Sequence, residues 1–95
     1  MAVFEVYFRE SFWKDVKRIP KKDLRNILKK IKSLAEDPRP HGCEKLTGQE
    51  RYRLRQGKYR IVYSIQDIEL TVWIVKVGHR KDIPLKWLDA TRINE

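Results

Sequence analysis

Three strand-like runs in the C-terminal half, separated by short turns, constrain the fold of this chain more than any other feature. They read RYRLRQ, KYRIVYSIQ and ELTVWIVKVGH and cover 51–56, 58–66 and 69–79. Each run is rich in β-branched and aromatic residues, and the turns fall at Gly57-Lys58 and around Asp67-Ile68. Runs joined this tightly predict an antiparallel meander. The third run is nearly all apolar, which favours a central place in the sheet.

The N-terminal half has the pattern of one strand followed by two helices. Residues 2–8 predict a strand, and a helix is expected from about 12 to 18 with Ser11 as its cap. From 21 to 36 apolar residues recur at the i, i+3, i+4 spacing of an amphipathic helix, which Asp37-Pro38 ends. With a final helix over about 82–93, the chain predicts one α+β domain spanning 1–95. Its order is βααβββα, with the two helices packed on one face of the sheet and the other face free for a site.

The charge of the chain points to a polyanionic partner. The formal net charge is +9 and the isoelectric point is about 9.9, values that suit RNA, DNA or an acidic protein. Nine Lys or Arg lie between Lys14 and Lys32, against Asp15 and Asp23 alone. These cations are interpreted as a solvated helix face, or as secondary contacts to phosphates.

Several classes of function are disfavoured by what the sequence lacks. The single Cys43 cannot form an internal disulfide, and the start of the chain resembles no signal peptide, so a cytoplasmic location is expected. No apolar window is long enough for a membrane span. We find no Gly-rich phosphate loop and expect no cofactor. His41 and Cys43 have no partner at metal-ligand spacing, and Glu44, Glu50 and Glu69 show no reason to form a catalytic carboxylate pair, so no metal site is predicted.

The first hairpin collects its cations on one face. Side chains alternate across a strand, so Arg51, Arg53 and Arg55 share a face. A two-residue turn at Gly57-Lys58 then places Arg55 opposite Arg60. A four-residue loop preserves this pairing, whereas a three-residue loop would mix the apolar and cationic faces. Because like charges directly opposite each other disfavour folding, the cluster suggests phosphate binding; the alternative is a set of solubilising arginines that blocks aggregation of an edge strand.

The end of the third run returns to the same end of the sheet. It carries Gly78-His79-Arg80, and so adds a cation and an imidazole near the arginine cluster. Histidine is suited to proton transfer near neutral pH. His79 is therefore the candidate for that role, and a structural or phosphate-orienting histidine is the alternative.

The segments YRLRQGKYRIVY and VWIVKVGHRKDI together resemble the core of RelE/ParE-type toxins of bacterial and archaeal toxin–antitoxin systems. The resemblance covers most of the chain, including the order of its elements. The VGHR ending is more similar to the RelE branch, whose members cut messenger RNA in the ribosomal A site, than to ParE-like members, which inhibit DNA gyrase. The resemblance to this family implies three partners: a cognate RelB-like antitoxin, the ribosome and mRNA.

The resemblance also implies a mechanism without metal, in which the ribose 2′-hydroxyl attacks the adjacent phosphate. Arg53 and Arg55 would lie near that hydroxyl, Arg60 would hold the phosphate, and Arg80 would lie near the leaving oxygen. Prepositioned cations stabilise the charge that grows on the phosphoryl oxygens. Four further residues are expected to contact RNA: Arg51, Lys58, Lys81 and Trp87. Trp87 would stack on a base, and packing against the sheet is the alternative for it.

This sequence departs from the family pattern at the groups that move protons. Many members have lysine near the attacking hydroxyl, where this chain has arginine, which is a poor general base. Many also have a tyrosine a few residues beyond the arginine that matches Arg80, and here the run is KDIPLKW. A gyrase inhibitor, or a non-catalytic homologue that acts as a binding module, is the alternative function.

Overall fold

The structure is a computed structural model that describes residues 3–46 and 50–82. Its elements follow the predicted order with one addition, a short strand before the meander. They are β1 (Glu5–Phe8), α1 (Glu10–Val16), α2 (Lys21–Ser33), β2 (Glu44–Lys45), β3 (Tyr52–Gln56), β4 (Tyr59–Gln66) and β5 (Thr71–His79). The helix expected over 82–93 lies outside the described residues, apart from Asp82.

The five strands form one sheet in the order β1-β5-β4-β3-β2. Strands β3, β4 and β5 are the predicted antiparallel meander, and β5 lies inside the sheet as expected. Strand β1 pairs with β5 in parallel, so the sheet is mixed. The segment 38–50, between the second helix and the meander, has no strand pattern, yet Glu44 and Lys45 pair with β3. A two-residue strand has no periodicity of its own, so its sequence gives no signal.

Both helices pack on one face of the sheet, as predicted. Phe12 of α1 and Ile27 and Ile31 of α2 are buried against strand residues of the same core, including Ile61 and Ile74. The core lies between the helices and the sheet because apolar residues alternate on the strands and recur every three or four positions on the helices. This arrangement confirms the α+β fold.

A bulge in β5 explains why the expected cap of α1 is absent. Val62 pairs with Lys76 and Tyr63 with Ile74, which leaves Val75 as the extra residue. The Ser11 hydroxyl donates to the Val75 carbonyl oxygen at 2.6 Å instead of capping the helix, which begins at Glu10. The prediction of Ser11 as N-cap was therefore wrong, because the bulge offers it a tertiary acceptor.

The connection between α2 and β2 is held by Arg39. Its guanidinium makes a forked contact to Asp67 in the β4–β5 turn, with N–O distances of 3.0 and 2.9 Å. Its Nε donates to the Tyr52 hydroxyl at 3.1 Å. Nearby, the Tyr63 hydroxyl donates to the Pro38 carbonyl oxygen at 2.8 Å. These bonds fix the path of the chain into the segment that carries His41.

The face of the sheet without α1 and α2 is open only in part. Val62 and Ser64 lie on this face, opposite Ile61 and Tyr63, yet both are buried. The expected free face is therefore partly covered, and Arg53, Arg55 and Arg60 lie on it near the hairpin end. No helix in the described part of the chain is both long and apolar enough to cross a bilayer.

Candidate functional site

The hairpin of β3 and β4 gathers arginines into one groove. Arg55 pairs with Arg60, and Leu54 pairs with Ile61, as the two-residue turn predicted. Gly57 has φ of +59°, a conformation that glycine adopts without steric cost. The resulting cavity, called here the arginine groove, has a volume of about 300 Å³. It is lined by Lys30, His41, Gly42, Glu44, Arg53, Leu54, Arg55 and Arg60.

Arg60 lies at the electrostatic centre of this cluster. Partial burial lowers the pKa of its guanidinium, and the charges of other guanidiniums lower it further: those of Arg55, Arg53 and Arg80. The negative charge of Glu44 acts in the opposite direction and raises the pKa of Arg60. The mutual repulsion of these cations is offset when an anion binds among them. The groove thus has the charge of a phosphate site.

The backbone of the turn holds the Arg60 side chain in place. Its Nη1 donates to the carbonyl oxygens of Gly57, at 3.3 Å, and Tyr59, at 3.0 Å. The backbone N–H of Arg80 donates to the Lys58 carbonyl oxygen at 2.8 Å, so Arg80 also lies beside the turn. Two of the predicted cations are therefore positioned by the same turn.

A carboxylate enters the groove from β2. Strand pairing places Glu44 beside Arg53, and Arg53 Nη2 forms an ion pair with Glu44 Oε1. The sequence alone predicts no role for Glu44, since its proximity to Arg53 depends on the pairing of β2 with β3. A carboxylate has lone pairs that guanidinium lacks, so Glu44 adds a proton acceptor to a cluster of donors.

An imidazole reaches the groove from the turn before β2. The backbone N–H of Cys43 donates to the Pro40 carbonyl oxygen at 3.1 Å, and Gly42 has φ of +93°. A positive φ at the third position is what a type II turn requires, and glycine meets it. His41 is thereby held at the corner of the turn, facing the groove. From the sequence, His41 was weighed only as a metal ligand, because its place beside the arginines depends on this turn.

His79 reaches the predicted end of the sheet, but its side chain lies on the opposite face from the arginines. It pairs with Tyr59, and the two rings meet edge to face with centroids 5.6 Å apart. Its Nδ1 accepts the backbone N–H of Lys81 at 3.2 Å. The structure therefore does not bring His79 into the arginine groove.

The remaining predicted contacts to RNA are dispersed. Lys58 lies in the hairpin turn and lines a second groove on the helix face. Lys81 is exposed beyond β5, and Arg51 is half-buried just before β3. Trp87 lies outside the described residues. Within 3–46 and 50–82, no three potential ligands cluster in a way that could hold a metal ion.

The arginine pair across the hairpin should cost stability. We expect Arg55→Glu to raise the free energy of unfolding by several tenths of a kcal/mol, up to about 1 kcal/mol, because a like-charge pair becomes an opposite-charge pair. Urea denaturation of the purified protein measures the change. Arg55→Lys keeps the repulsion and serves as the control; equal stability of all three proteins would show that the pair carries no strain.

Comparisons with known proteins indicate the family of the chain. A family model described as the ParE toxin of type II toxin–antitoxin systems, parDE, matches residues 6–84. That span includes both helices and the whole meander. No curated protein matched the sequence significantly.

Solved structures resemble the chain over most of its length. A toxin–antitoxin complex, RelBE2 from Mycobacterium tuberculosis, has a TM-score of 0.75 and 25% identity, covering 82% of this chain and 99% of that one. The archaeal RelE–RelB complex of Pyrococcus horikoshii has a TM-score of 0.74 and 26% identity, covering 85% and 99%. The intact RelBE complex of E. coli has a TM-score of 0.67 and 30% identity, covering 82% and 96%.

Proposed function

The chain belongs to the RelE/ParE-type toxins of type II toxin–antitoxin systems, and from this premise we propose that it is a ribosome-dependent endoribonuclease. It cuts mRNA in the A site and so inhibits translation. The observation that supports the proposal most is the arginine groove. Arg53, Arg55 and Arg60 line one cavity of a size for a phosphate and part of its sugar.

The proposed reaction is an internal transfer of the phosphate. The ribose 2′-oxygen bonds to phosphorus, the bond from phosphorus to the 5′ oxygen breaks, and a cyclic phosphate and a free 5′-hydroxyl result. Arg60 holds the phosphate, since the turn carbonyls fix its guanidinium. Arg53 and Arg55 flank the attacking hydroxyl, and Arg80 stabilises the leaving oxygen. Such prepositioned charge acts most strongly where charge grows in the transition state.

The proton of the 2′-hydroxyl needs an acceptor, and the groove offers two. Arginine has no lone pair to accept a proton. Glu44 and His41 do, and both line the groove. The proton passes to one of these side chains, and the leaving 5′ oxygen takes a proton from water. The hydroxide that remains takes up the proton held by the side chain, which restores the groove. His79, the candidate from sequence, is on the other face and is not needed for this step.

A cognate antitoxin of the RelB type is the proposed protein partner. The similar structures from M. tuberculosis, P. horikoshii and E. coli are complexes of a RelE with its RelB. The net charge of +9 favours an acidic partner segment. An antitoxin that covers the arginine groove would neutralise the toxin by excluding RNA.

A second candidate function is inhibition of DNA gyrase, favoured by the match to a ParE family model. Pulse labelling after unopposed expression separates the two. We expect incorporation of labelled amino acid to fall before incorporation of labelled thymidine, because mRNA is lost first. Co-expression of the antitoxin is the control. Loss of thymidine incorporation first would favour the gyrase inhibitor.

A further inference from the structure

A second groove lies on the other side of the hairpin tip from the arginine groove. It has a volume of about 480 Å³ and opens between α2 and the β3–β4 turn. We call it the hairpin-tip groove. It is lined by Asp23, Asn26, Ile27, Gln56, Gly57, Lys58, Tyr59 and His79. The proposed transfer of the phosphate uses none of these side chains.

The polar side chains of this groove have the donors and acceptors that base edges require. Asn26 and Gln56 each carry one carbonyl acceptor and an amide with two donors. Asp23 adds a carboxylate, whose Oδ2 accepts the Tyr59 hydroxyl at 3.3 Å. Carboxamide side chains pair with nucleobase edges in just this mixed manner. Phosphate oxygens accept hydrogen bonds, so a site for phosphate alone would need donors and not these acceptors.

The apolar part of the groove is aromatic. The rings of Tyr59 and His79 meet at 78° and are both half-buried, and the buried Ile27 adds an aliphatic wall. Single-stranded RNA is bound by stacking its bases on aromatic side chains while polar groups read the base edge. The groove contains both components.

The two grooves share the hairpin turn. Gly57 lines the hairpin-tip groove, and its carbonyl oxygen accepts Arg60 Nη1 from the arginine groove. Gln56 and Tyr59, which flank that turn, also line the hairpin-tip groove. An RNA strand that passes round the hairpin tip therefore meets both grooves.

We propose that the hairpin-tip groove binds a nucleobase of the RNA strand that is cut in the arginine groove, and that Asn26 and Gln56 select the base. The inference deepens the proposed function and rests on it. It assigns base preference to uncharged side chains on the helix face of the sheet, opposite the face that carries the arginines.

The first test compares cleavage at many codons. Wild type, Asn26→Ala and Gln56→Ala are assayed by primer extension on purified ribosomes programmed with mRNAs that differ only in the A-site codon. We expect the ratio of rates between the best and poorest codons to fall by about tenfold in each variant. Gln66→Ala, the same residue type at the other end of β4, should keep the wild-type ratio. Unchanged ratios in both groove variants would overturn the proposal.

The second test does not depend on cleavage. A trinucleotide with 2′-O-methyl riboses is titrated into the isotopically labelled protein, and the side-chain amide signals of Asn26 and Gln56 are followed by NMR. We expect both to shift on saturation while the amide signals of Gln66 stay in place. Shifts of the arginine signals without shifts of Asn26 and Gln56 would reject the base site and leave the nuclease intact. Shifts of both amides in a protein that fails to cut ribosomal mRNA would reject the nuclease instead.

Discussion

Replacing Arg60 with alanine is expected to lower the rate of mRNA cleavage in programmed ribosomes by about 100-fold to 1000-fold, the usual effect of removing one prepositioned donor from a developing oxyanion. Arg60 has the strongest position for this role. Partial burial, and then the charges of Arg55, Arg53 and Arg80, lower its pKa, and the turn carbonyls hold its guanidinium. The single-turnover rate with excess protein is the measurement.

Two control variants make the Arg60 result specific. Arg25→Ala removes the same charge from the exposed side of α2, outside both grooves, and should change the rate by less than a few fold. Arg60→Lys keeps the charge but loses the planar fork, so it should restore part of the rate. An equal loss in Arg60→Ala and Arg25→Ala would mean that only net charge matters, and Arg60 would no longer belong to the site.

Loss of the proton acceptor is expected to slow cleavage by about 100-fold to 10,000-fold. The groove contains two acceptors, so Glu44→Gln and His41→Ala are compared across a range of pH. The variant that lacks the acceptor should show the large loss and a flattened dependence of rate on pH. Added imidazole should restore part of the rate to His41→Ala only if His41 is the acceptor.

Replacing Glu44 also affects Arg53, and control variants must distinguish this effect from the loss of a proton acceptor. Glu44 is paired with Arg53, so its replacement also changes the position of that arginine. Glu44→Asp keeps a carboxylate and should retain a pH dependence even where the rate falls. Glu50→Gln, an exposed carboxylate outside the groove, should behave as wild type. Full activity in both Glu44→Gln and His41→Ala would contradict the assignment of the acceptor to the groove.

The sequence predicted the arginine hairpin because its information is local. Alternation fixes which side chains share a face, and a two-residue turn with glycine fixes the register, so Arg55 opposite Arg60 followed from parity. The longer core helix could be predicted equally well, since α2 shows a long amphipathic repeat. The interior place of β5 followed from its apolar composition.

The sequence did not predict the groups that complete the site, because they arrive through tertiary contacts. Glu44 meets Arg53 through a two-residue strand, and His41 is placed by one glycine turn fixed by Arg39 and its partners. His79 was predicted at the correct end of the sheet and near the arginine cluster, but its pairing with Tyr59 puts its side chain on the helix face. Simple alternation from the β4–β5 turn places His79 on the arginine face, and the extra residue Val75 in the bulge of β5 reverses the side.

Primer extension on mRNA in purified ribosomes, with the purified toxin and no antitoxin, tests the central claim most directly. The proposed function predicts new 5′ ends at the A-site codon, with a 5′-hydroxyl on the downstream fragment and a cyclic phosphate on the upstream one, and no cut when ribosomes are left out. DNA supercoiling by gyrase, assayed in parallel, should proceed unchanged. Intact mRNA together with inhibited supercoiling would contradict the nuclease and establish the gyrase inhibitor in its place.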